Sequence, residues 1–140
     1  MPLHITLIEQ LKNAGHRMTT TRREIIILLS ECTAPITAME LLAQLKKRHR
    51  AVNKTTVYRE LDFLQAQQLI HVVQFGEGHK HFELAETEHH HHLRCIKCER
   101  VEDVHVDNEL RLAERQIRKK SRFKIMNHSL EFFGLCVQCQ

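Results

Sequence analysis

The sequence contains few residues that break regular structure and no segment that predicts a membrane span. Its 140 residues include four glycines and two prolines, which excludes collagen-like, linker-like and low-complexity chains. The longest apolar run, residues 25–29, is far shorter than the roughly 20 residues that a membrane span needs. No charged-then-apolar signal peptide opens the chain, so we expect a cytoplasmic protein with no membrane partner.

Composition predicts a globular protein that is rich in metal-binding side chains. The hydrophobic fraction of 42% and the charged fraction of 27% are typical of soluble domains. A formal net charge of +4 permits a nucleic-acid partner without requiring one. The chain has five cysteines and 12 histidines, of which six lie between His79 and His92. In a cytosolic protein, paired cysteines more often bind metal than form disulfides. The composition therefore favours a metalloprotein.

Residues 1 to about 86 have the pattern of a winged helix-turn-helix domain. Apolar residues recur at helical spacing in four segments. The period then changes to two strand-like runs, which the turn signal Gly76-Glu77-Gly78 separates. Three or four helices followed by a β-hairpin form the outline of a winged helix. The helices are predicted at residues 3–11, 19–30, 37–48 and 55–68, with Thr37 as an N-cap, and the strands at residues 70–75 and 79–84.

The C-terminal residues have a different pattern. Short strand-like pieces surround one helix, predicted at about residues 107–120. A segment of 48 residues is near the size below which a core usually needs metal or oligomerisation for support. We therefore predict an α+β chain: a winged helix-turn-helix domain at residues 1–86, a His-rich hinge at 87–92 and a small α/β domain at 93–140.

Four of the five cysteines form two Cys-x-x-Cys pairs in this C-terminal segment. Zinc bound by four thiolates is tetrahedral and closed, and each pair can place two sulfurs on one ion through a tight turn. The alternatives are a redox dithiol and cysteines that are merely buried. Two pairs in so short a segment favour structural Zn²⁺ held by Cys95, Cys98, Cys136 and Cys139, whereas Cys32 is predicted to be a small core residue.

Four consecutive histidines, residues 89–92, precede the first cysteine pair. If this run is extended, the first and third side chains project to one face and the second and fourth to the other. The same argument places His79, His81 and Glu83 on one face of the second hairpin strand. Imidazole with carboxylate suits Zn²⁺, Fe²⁺ or Mn²⁺ far better than Ca²⁺ or Mg²⁺. We predict a weaker, reversible metal site here, and the alternative is a solvated connector without ligands.

Three segments resemble the ferric uptake regulator family in order and spacing. Thr55-Thr56-Val57-Tyr58-Arg59 followed by Leu61 is similar to its recognition-helix motif. Residues 89–98 resemble its His-rich hinge and first cysteine pair, and residues 128–140 resemble its closing segment. The resemblance, which runs from about residue 19 to 140, implies a metal-dependent repressor in the bacterial cytoplasm. Such a repressor binds double-stranded operator DNA as a homodimer, and residues 93–140 form the dimer around the structural zinc.

The resemblance also implies the ligands of two further metal sites. Pro35 stands where some iron and peroxide sensors have a His, whereas His71 falls where the zinc-uptake branch has a ligand. Zn²⁺ is therefore slightly favoured over Fe²⁺ as the regulatory metal that controls metal-uptake genes. Gln68 and Glu99 replace two glycines that are usual in the family. The regulatory ligands are predicted to be His71, His81, Glu83, His90, His92 and Asp103, and an additional site on the other hinge face is predicted to use His89, His91, Glu109 and His128.

The fourth helix carries the predicted DNA contacts. The N-terminal end of a recognition helix meets base edges in the major groove. Arg59 could bond guanine, and Tyr58 could contact a thymine methyl or a phosphate, with core packing as the alternative for Tyr58. The basic run at residues 46–50 fits phosphate contacts and a solvated helix end equally well. The predicted DNA-binding residues are Arg22, Lys54, Thr56, Tyr58 and Arg59.

Three other functions compete with this interpretation. A zinc hydrolase needs an open metal site and a general base. The sequence has no His-Glu-x-x-His helix and no nucleophile with a matching partner, so we do not expect an enzyme. A zinc-stabilised scaffold or metal buffer without DNA binding is the alternative of another class. Within the family, a peroxide sensor would use Fe²⁺ at the hinge to oxidise a ligand histidine.

Overall fold

The computed structural model describes residues 1–48, 51–85, 88–106 and 109–140, except for the side chain of Glu109. The described residues form helices and strands in two compact units, Met1–Glu86 and Thr87–Gln140. This mixed architecture confirms the predicted α+β class. None of the helices in these ranges has the length and apolar character needed to cross a membrane.

Four helices make up most of the first unit, and polar side chains fix where three of them begin. They are α1 (Leu3–Asn13), α2 (Thr20–Glu31), α3 (Ala38–Lys47) and α4 (Lys54–Ala66). Thr19 caps α2, and Asn53 caps α4 by accepting a backbone hydrogen bond. Thr37 and Glu40 form a reciprocal capping box at the start of α3. The predicted role of Thr37 is therefore confirmed.

A three-stranded antiparallel sheet completes the first unit. Strands β2 (Ile70–Gln74) and β3 (Lys80–Leu84) form the predicted hairpin, and β1 (Ile36–Thr37) pairs with the other edge of β3. Gly76 and Gly78 in the hairpin turn have φ angles of +78° and +77°, which L-residues rarely adopt. The sequence did not predict β1, because two residues carry no detectable period.

One apolar core joins the helices to the hairpin. On α4, Val57, Leu61 and Leu64 follow helical spacing and are completely buried. That burial turns Tyr58 and Arg59 outward, where both side chains are exposed. The core therefore sets which face of the predicted recognition helix is available to a partner.

Two turns keep a left-handed backbone although the sequence has no glycine there. Gln68, after α4, has a φ angle of +58°, and Glu99, after the first cysteine pair, has +63°. The left-handed region costs an L-residue roughly 1–2 kcal/mol, which explains why glycine is favoured at such turns. Both turns are thus formed at a local conformational cost.

The second unit is a small sheet joined to one helix. Strand β4 (His91–Cys95) lies between antiparallel β5 (Val101–Val104) and parallel β6 (Glu131–Gly134), and α5 (Glu109–Ser121) lies between β5 and β6 in sequence. Because β4 begins at His91, the last two residues of the predicted hinge belong to the sheet. Thr87 of the predicted hinge and residues 107–108 of the predicted helix lie outside the described residues.

This second unit has almost no buried apolar side chains. Among its described residues, the buried side chains are those of His91, His92, Arg94 and Cys95. Large apolar side chains are instead exposed on the strands, on α5 and on the connections between them. They are Leu93, Ile96, Leu112, Ile117, Phe123, Met126, Phe132, Phe133, Leu135 and Val137.

Candidate metal centres and nucleic-acid interface

The structure brings the four predicted zinc ligands together. The Sγ atoms of Cys95, Cys98, Cys136 and Cys139 all lie within 4.8 Å of one another. The Cys98 and Cys136 sulfurs are 3.7 Å apart. Tetrahedral Zn²⁺ with Zn–S bonds of about 2.3 Å requires sulfurs about 3.8 Å apart, so the cluster fits this ion. The pairing of β4 with β6 brings the two cysteine pairs to one end of the sheet.

Hydrogen bonds shift two of these thiols in opposite directions. Backbone N–H groups of Cys136 and Cys98 lower the pKa of Cys95 to about 6. The hydrogen bond with the Cys136 side chain raises the pKa of Cys139 to about 12. The lowered pKa of Cys95 favours its thiolate form, which is the form that binds metal. Binding of zinc must then release protons from the remaining thiols.

Alternation along β4 separates the four histidines into two groups, as the sequence predicted. His89 and His91 share one face with His128, which comes from the segment before β6. The Nε2 atom of His89 lies 3.2 Å from Nε2 of His91 and 3.1 Å from Nε2 of His128. Tetrahedral zinc with Zn–N bonds of about 2.05 Å requires nitrogens about 3.3 Å apart. Three imidazoles thus converge at nearly the spacing of metal ligands.

The Nδ1 atoms of His91 and His128 make hydrogen bonds that fix which ring nitrogen carries the proton. Nδ1 of His91 donates to the carbonyl of Leu130 at 3.2 Å, and Nδ1 of His128 donates to Glu114 at 2.6 Å. Both rings therefore direct Nε2 lone pairs toward His89, which can donate to only one of them. Burial, reinforced by the two neighbouring histidines, lowers the pKa of His91. Three imidazole nitrogens at this spacing suit a divalent cation.

The carboxylate of this site is one that the sequence analysis missed. Glu109 was predicted as a ligand, but its side chain lies outside the described part of the chain. Glu114, five residues later on α5, holds His128. A carboxylate that orients a ligand histidine is a common feature of metal sites. The available signal was helical spacing, because Glu114 follows Leu110 by four residues and so lies on the partly buried side of α5.

The second pair of histidines lies near Asp103 of β5. His92 and Asp103 are direct neighbours in the β4–β5 register, and their Nε2 and Oδ1 atoms are 3.8 Å apart. Nε2 of His90 lies 4.0 Å from the same oxygen, while its Nδ1 donates to the carbonyl of Glu88 at 3.4 Å. The His90 and His92 side chains are both largely buried. Two imidazoles and a carboxylate are ligands that Zn²⁺, Fe²⁺ and Mn²⁺ accept.

The other three predicted regulatory ligands share a face of the hairpin in the first unit. His71 lies directly opposite Glu83 in the β2–β3 register, and His81 lies opposite Val73. His71 is exposed, whereas His81 is buried with its ring edge-on to Phe75 at 4.9 Å. The six predicted ligands thus form two groups of three, one in each unit.

The predicted recognition helix presents its polar end to solvent. The Asn53 side chain accepts hydrogen bonds from the N–H and hydroxyl groups of Thr56 at 2.9 and 3.0 Å, which fixes the first turn of α4. The Lys54 ammonium lies 5.7 Å from the centre of the Tyr58 ring. Tyr58 is 39% exposed, so core packing does not account for it. His49 and Arg50 of the predicted basic run lie outside the described residues.

Arg22 makes its contacts within the first unit. Its guanidinium donates to Glu60 of α4 at 2.7 and 3.3 Å and to the carbonyl of Arg17 at 2.6 Å. It also stacks on Phe63, 3.7 Å from the ring centre. The Arg22 and Glu60 side chains are only 13% and 14% exposed. Arg22 therefore joins the start of α2 to the predicted recognition helix, and its contact with DNA stays a prediction.

Comparison with known proteins finds similarity along nearly the whole chain. The model of the ferric uptake regulator family matches residues 13–133. A ferric uptake regulation protein from Legionella pneumophila is 35% identical over 133 residues, covering 94% of this chain and 97% of that protein. The crystal structure of the Vibrio cholerae ferric uptake regulator is 30% identical with a TM-score of 0.75, covering 91% of this chain and 98% of that one. A zinc-bound manganese uptake regulator is 27% identical with a TM-score of 0.73, covering 94% and 99%.

Proposed function

The chain belongs to the ferric uptake regulator family, and from that premise we propose a specific role within it. The protein is a transcriptional repressor that binds operator DNA as a homodimer when a regulatory divalent metal is bound. Its targets are metal-uptake genes. One observation carries the proposal: the four consecutive histidines just before and at the start of β4 supply two separate ligand groups on opposite faces, beside a four-cysteine cluster.

The regulatory ion takes its ligands from the two groups of three described above. His90, His92 and Asp103 belong to the second unit, and His71, His81 and Glu83 belong to the first. An ion that needs ligands from both units links the position of the first unit to metal supply. Zn²⁺ is slightly favoured because of His71, with Fe²⁺ as the alternative and Mn²⁺ also compatible with these ligands. The four-cysteine cluster holds structural zinc, and the His89–His91–His128 trio holds a further divalent ion.

The first unit is the DNA-binding domain, and α4 is its recognition helix. Lys54, Tyr58 and Arg59 are exposed at the N-terminal part of α4, where such helices contact bases. Thr56 is held by the Asn53 cap and sits beside them. Arg22 contributes by fixing α4 through Glu60.

The second unit is the dimerisation domain. Its ten exposed large apolar residues exceed what a stable isolated domain leaves in water, and contiguous apolar patches of that kind mark protein interfaces. Pairing with a second copy would supply the apolar burial that the described part of the unit lacks. The exposed aromatic residues Phe132 and Phe133 on β6 are the anchors that we expect at the centre of such an interface.

Metal-dependent DNA binding tests the proposal. The dimer should select specific duplexes from a random-sequence library only when metal is added, and a mild chelator should abolish the binding. His90→Ala with His92→Ala should remove this response to added metal while the four-cysteine zinc remains. His79→Ala is the matched control, because His79 is exposed and outside the proposed ligand groups. Sequence-selective binding that ignores added metal in the parent protein would disprove a sensor role.

A further inference from the structure

A second dense group of positive charges, beside the one at residues 46–59, lies on α5 and the residues after it, outside the proposed DNA-binding domain. Residues 109–124 contain seven basic and two acidic residues, a net charge of +5, whereas the whole chain carries +4. The seven basic side chains are all exposed. They are Arg111, Arg115, Arg118, Lys119, Lys120, Arg122 and Lys124.

Three of the arginines form a line along one side of α5. Arg111, Arg115 and Arg118 follow the i, i+4, i+7 spacing that places side chains on one face of a helix. Glu114 lies beside this arginine stripe, three residues after Arg111 and four before Arg118, and its carboxylate is bonded to His128. Arg122, whose N–H bonds to the Arg118 carbonyl at 3.0 Å, continues the charge beyond the end of the helix. From Arg111 to Arg122 the positive charge extends over about 16 Å at helical rise.

Nothing in the described part of the chain neutralises the stripe. Among the residues whose side chains are described, no carboxylate forms an ion pair with Arg111, Arg115 or Arg118. Like charges at i+3 and i+4 spacing destabilise a helix, so an unpaired line of arginines is unfavourable without an anionic partner. A row of planar guanidinium groups is suited to phosphate, which arginine can bond bidentately.

Duplex DNA is the polyanion that these features fit best. An amphipathic helix that binds a membrane needs a free apolar face. The exposed apolar side chains of α5, Leu112 and Ile117, lie five residues apart and so on different sides of the helix, which leaves its described residues without a continuous apolar face. DNA presents closely spaced phosphates, and the proposed function already brings the protein to it. We propose that the arginine stripe of α5 is a second, sequence-independent contact with the phosphate backbone of double-stranded DNA.

This inference rests on the proposed function, and one set of titrations separates the two. The probe is a long duplex of random sequence, bound by the metal-loaded full-length protein at salt concentrations from about 50 to 200 mM. Each phosphate contact adds about 0.9 to the slope of log affinity against log salt, so Arg111→Gln with Arg115→Gln should lower the slope by about 1.8 per protomer. Over this range the affinity of the parent should therefore fall about 12-fold more than that of the variant for each protomer whose stripe contacts the duplex.

Lys97→Gln with Arg100→Gln is the matched control, because it removes two exposed charges elsewhere in the same unit. It should leave the slope unchanged. Tyr58→Ala with Arg59→Ala should abolish selection of specific duplexes and leave the stripe's contribution to the slope intact. Equal slopes for the parent and the stripe variant would overturn the inference while leaving the proposed function standing. Stripe-dependent binding to phosphatidylglycerol vesicles with no effect on DNA would overturn it in favour of a membrane surface.

Two further experiments distinguish whether the phosphates belong to the operator duplex or to a second duplex. If the stripe contacts DNA that flanks the operator, extending a selected duplex on both sides should raise affinity in the parent and not in the stripe variant. If it contacts a second duplex, a selected duplex on a surface should capture a free random duplex through the parent alone. Either result supports the phosphate contact, and the absence of both contradicts it.

Discussion

The two units of this chain are stabilised by different means. The first unit buries apolar side chains from four helices and a hairpin, with Ile25, Leu45 and Leu61 fully excluded from solvent. Among its described residues, the second unit buries histidine, arginine and cysteine, and exposes ten large apolar side chains. Exclusion of water therefore accounts for the shape of the first unit. The proposed zinc and the proposed dimer partner would supply the stabilisation that the described apolar side chains of the second unit do not, and its fold would then respond to metal supply.

The largest expected effect is the loss of the second unit when its zinc ligands are removed. Cys98→Ser with Cys136→Ser leaves two sulfurs, which cannot hold a closed tetrahedral ion. Structural zinc contributes roughly 10–16 kcal/mol in small zinc domains, which matches or exceeds the stability of a typical domain. We expect the variant to lose zinc, dimerisation and amide protection in β4–β6, while α2 and α4 stay protected. Metal analysis, sedimentation and hydrogen exchange measure these outcomes.

Cys32→Ser is the control for that experiment. Cys32 lies in the first unit, away from the cluster, and burial raises the pKa of its thiol, so it is a poor metal ligand at neutral pH. This variant should keep its zinc, and the amides of β4–β6 should stay protected from hydrogen exchange. Persistent protection of β4–β6 in the double variant without metal would show that the second unit folds by other means.

The converse test removes a core side chain from the first unit. Leu61→Ala deletes buried methyl groups from the centre of α4 and should lower the free energy of unfolding of that unit by about 2–5 kcal/mol. Zinc content should not change, because Leu61 lies in the apolar core of the first unit, whereas the four-cysteine cluster belongs to the second. Met39→Ala, at a position 52% exposed, should alter stability by less than about 0.5 kcal/mol. A loss of zinc in Leu61→Ala would mean that the two units do not fold independently.

The same contrast explains how far sequence alone could predict the structure. The first unit was predictable because apolar spacing and local caps such as Thr37 act within a few residues. The four-cysteine cluster was predictable because Cys-x-x-Cys spacing implies a shared ion. Alternation of the histidines followed from the extended geometry of β4.

Contacts between distant residues escaped prediction. Glu114 meets His128, and Arg22 meets Glu60, across 14 and 38 residues of chain. The parallel pairing of β4 with β6 is also non-local. No local period encodes such pairs, because their proximity results from how whole elements pack.

A substitution of Glu114 tests whether this residue supports metal binding by His89, His91 and His128. Glu114→Gln keeps the shape of the side chain but removes the charge that orients His128, so we expect metal affinity at the trio to fall about 10–100-fold. Glu109→Gln is the informative counterpart, because the sequence predicted Glu109 as a ligand. Calorimetric titration of zinc-retaining protein measures both. A larger loss in Glu109→Gln would restore the predicted ligand and leave Glu114 with a structural role.

A smaller effect is expected from the ion pair that fixes α4. Glu60→Gln should lower the stability of the first unit by about 1 kcal/mol, because it weakens a charged hydrogen bond that is largely shielded from solvent. The variant should also bind selected duplexes more weakly, although the change removes a negative charge. If Arg22 acts only by contacting phosphate, Glu60→Gln should instead strengthen binding. A double-mutant cycle with Arg22→Gln isolates the coupling between the two side chains.

The smallest predicted effects come from the left-handed turns at Gln68 in the first unit and Glu99 in the second. Gln68→Gly relieves an unfavourable φ angle but adds freedom to the unfolded chain, so the net gain in stability of the first unit should be about 0.5–1 kcal/mol.

Glu99→Gly relieves the same strain beside Cys98. Because folding of the second unit is linked to metal, that gain should appear as zinc affinity, about 2–5-fold higher. Asp62→Gly, at an exposed position inside α4, should have the opposite sign, since glycine destabilises a helix interior. If Glu99→Gly raised thermal stability equally with and without zinc, the second unit would not depend on its ion, and the contrast between the units would fail.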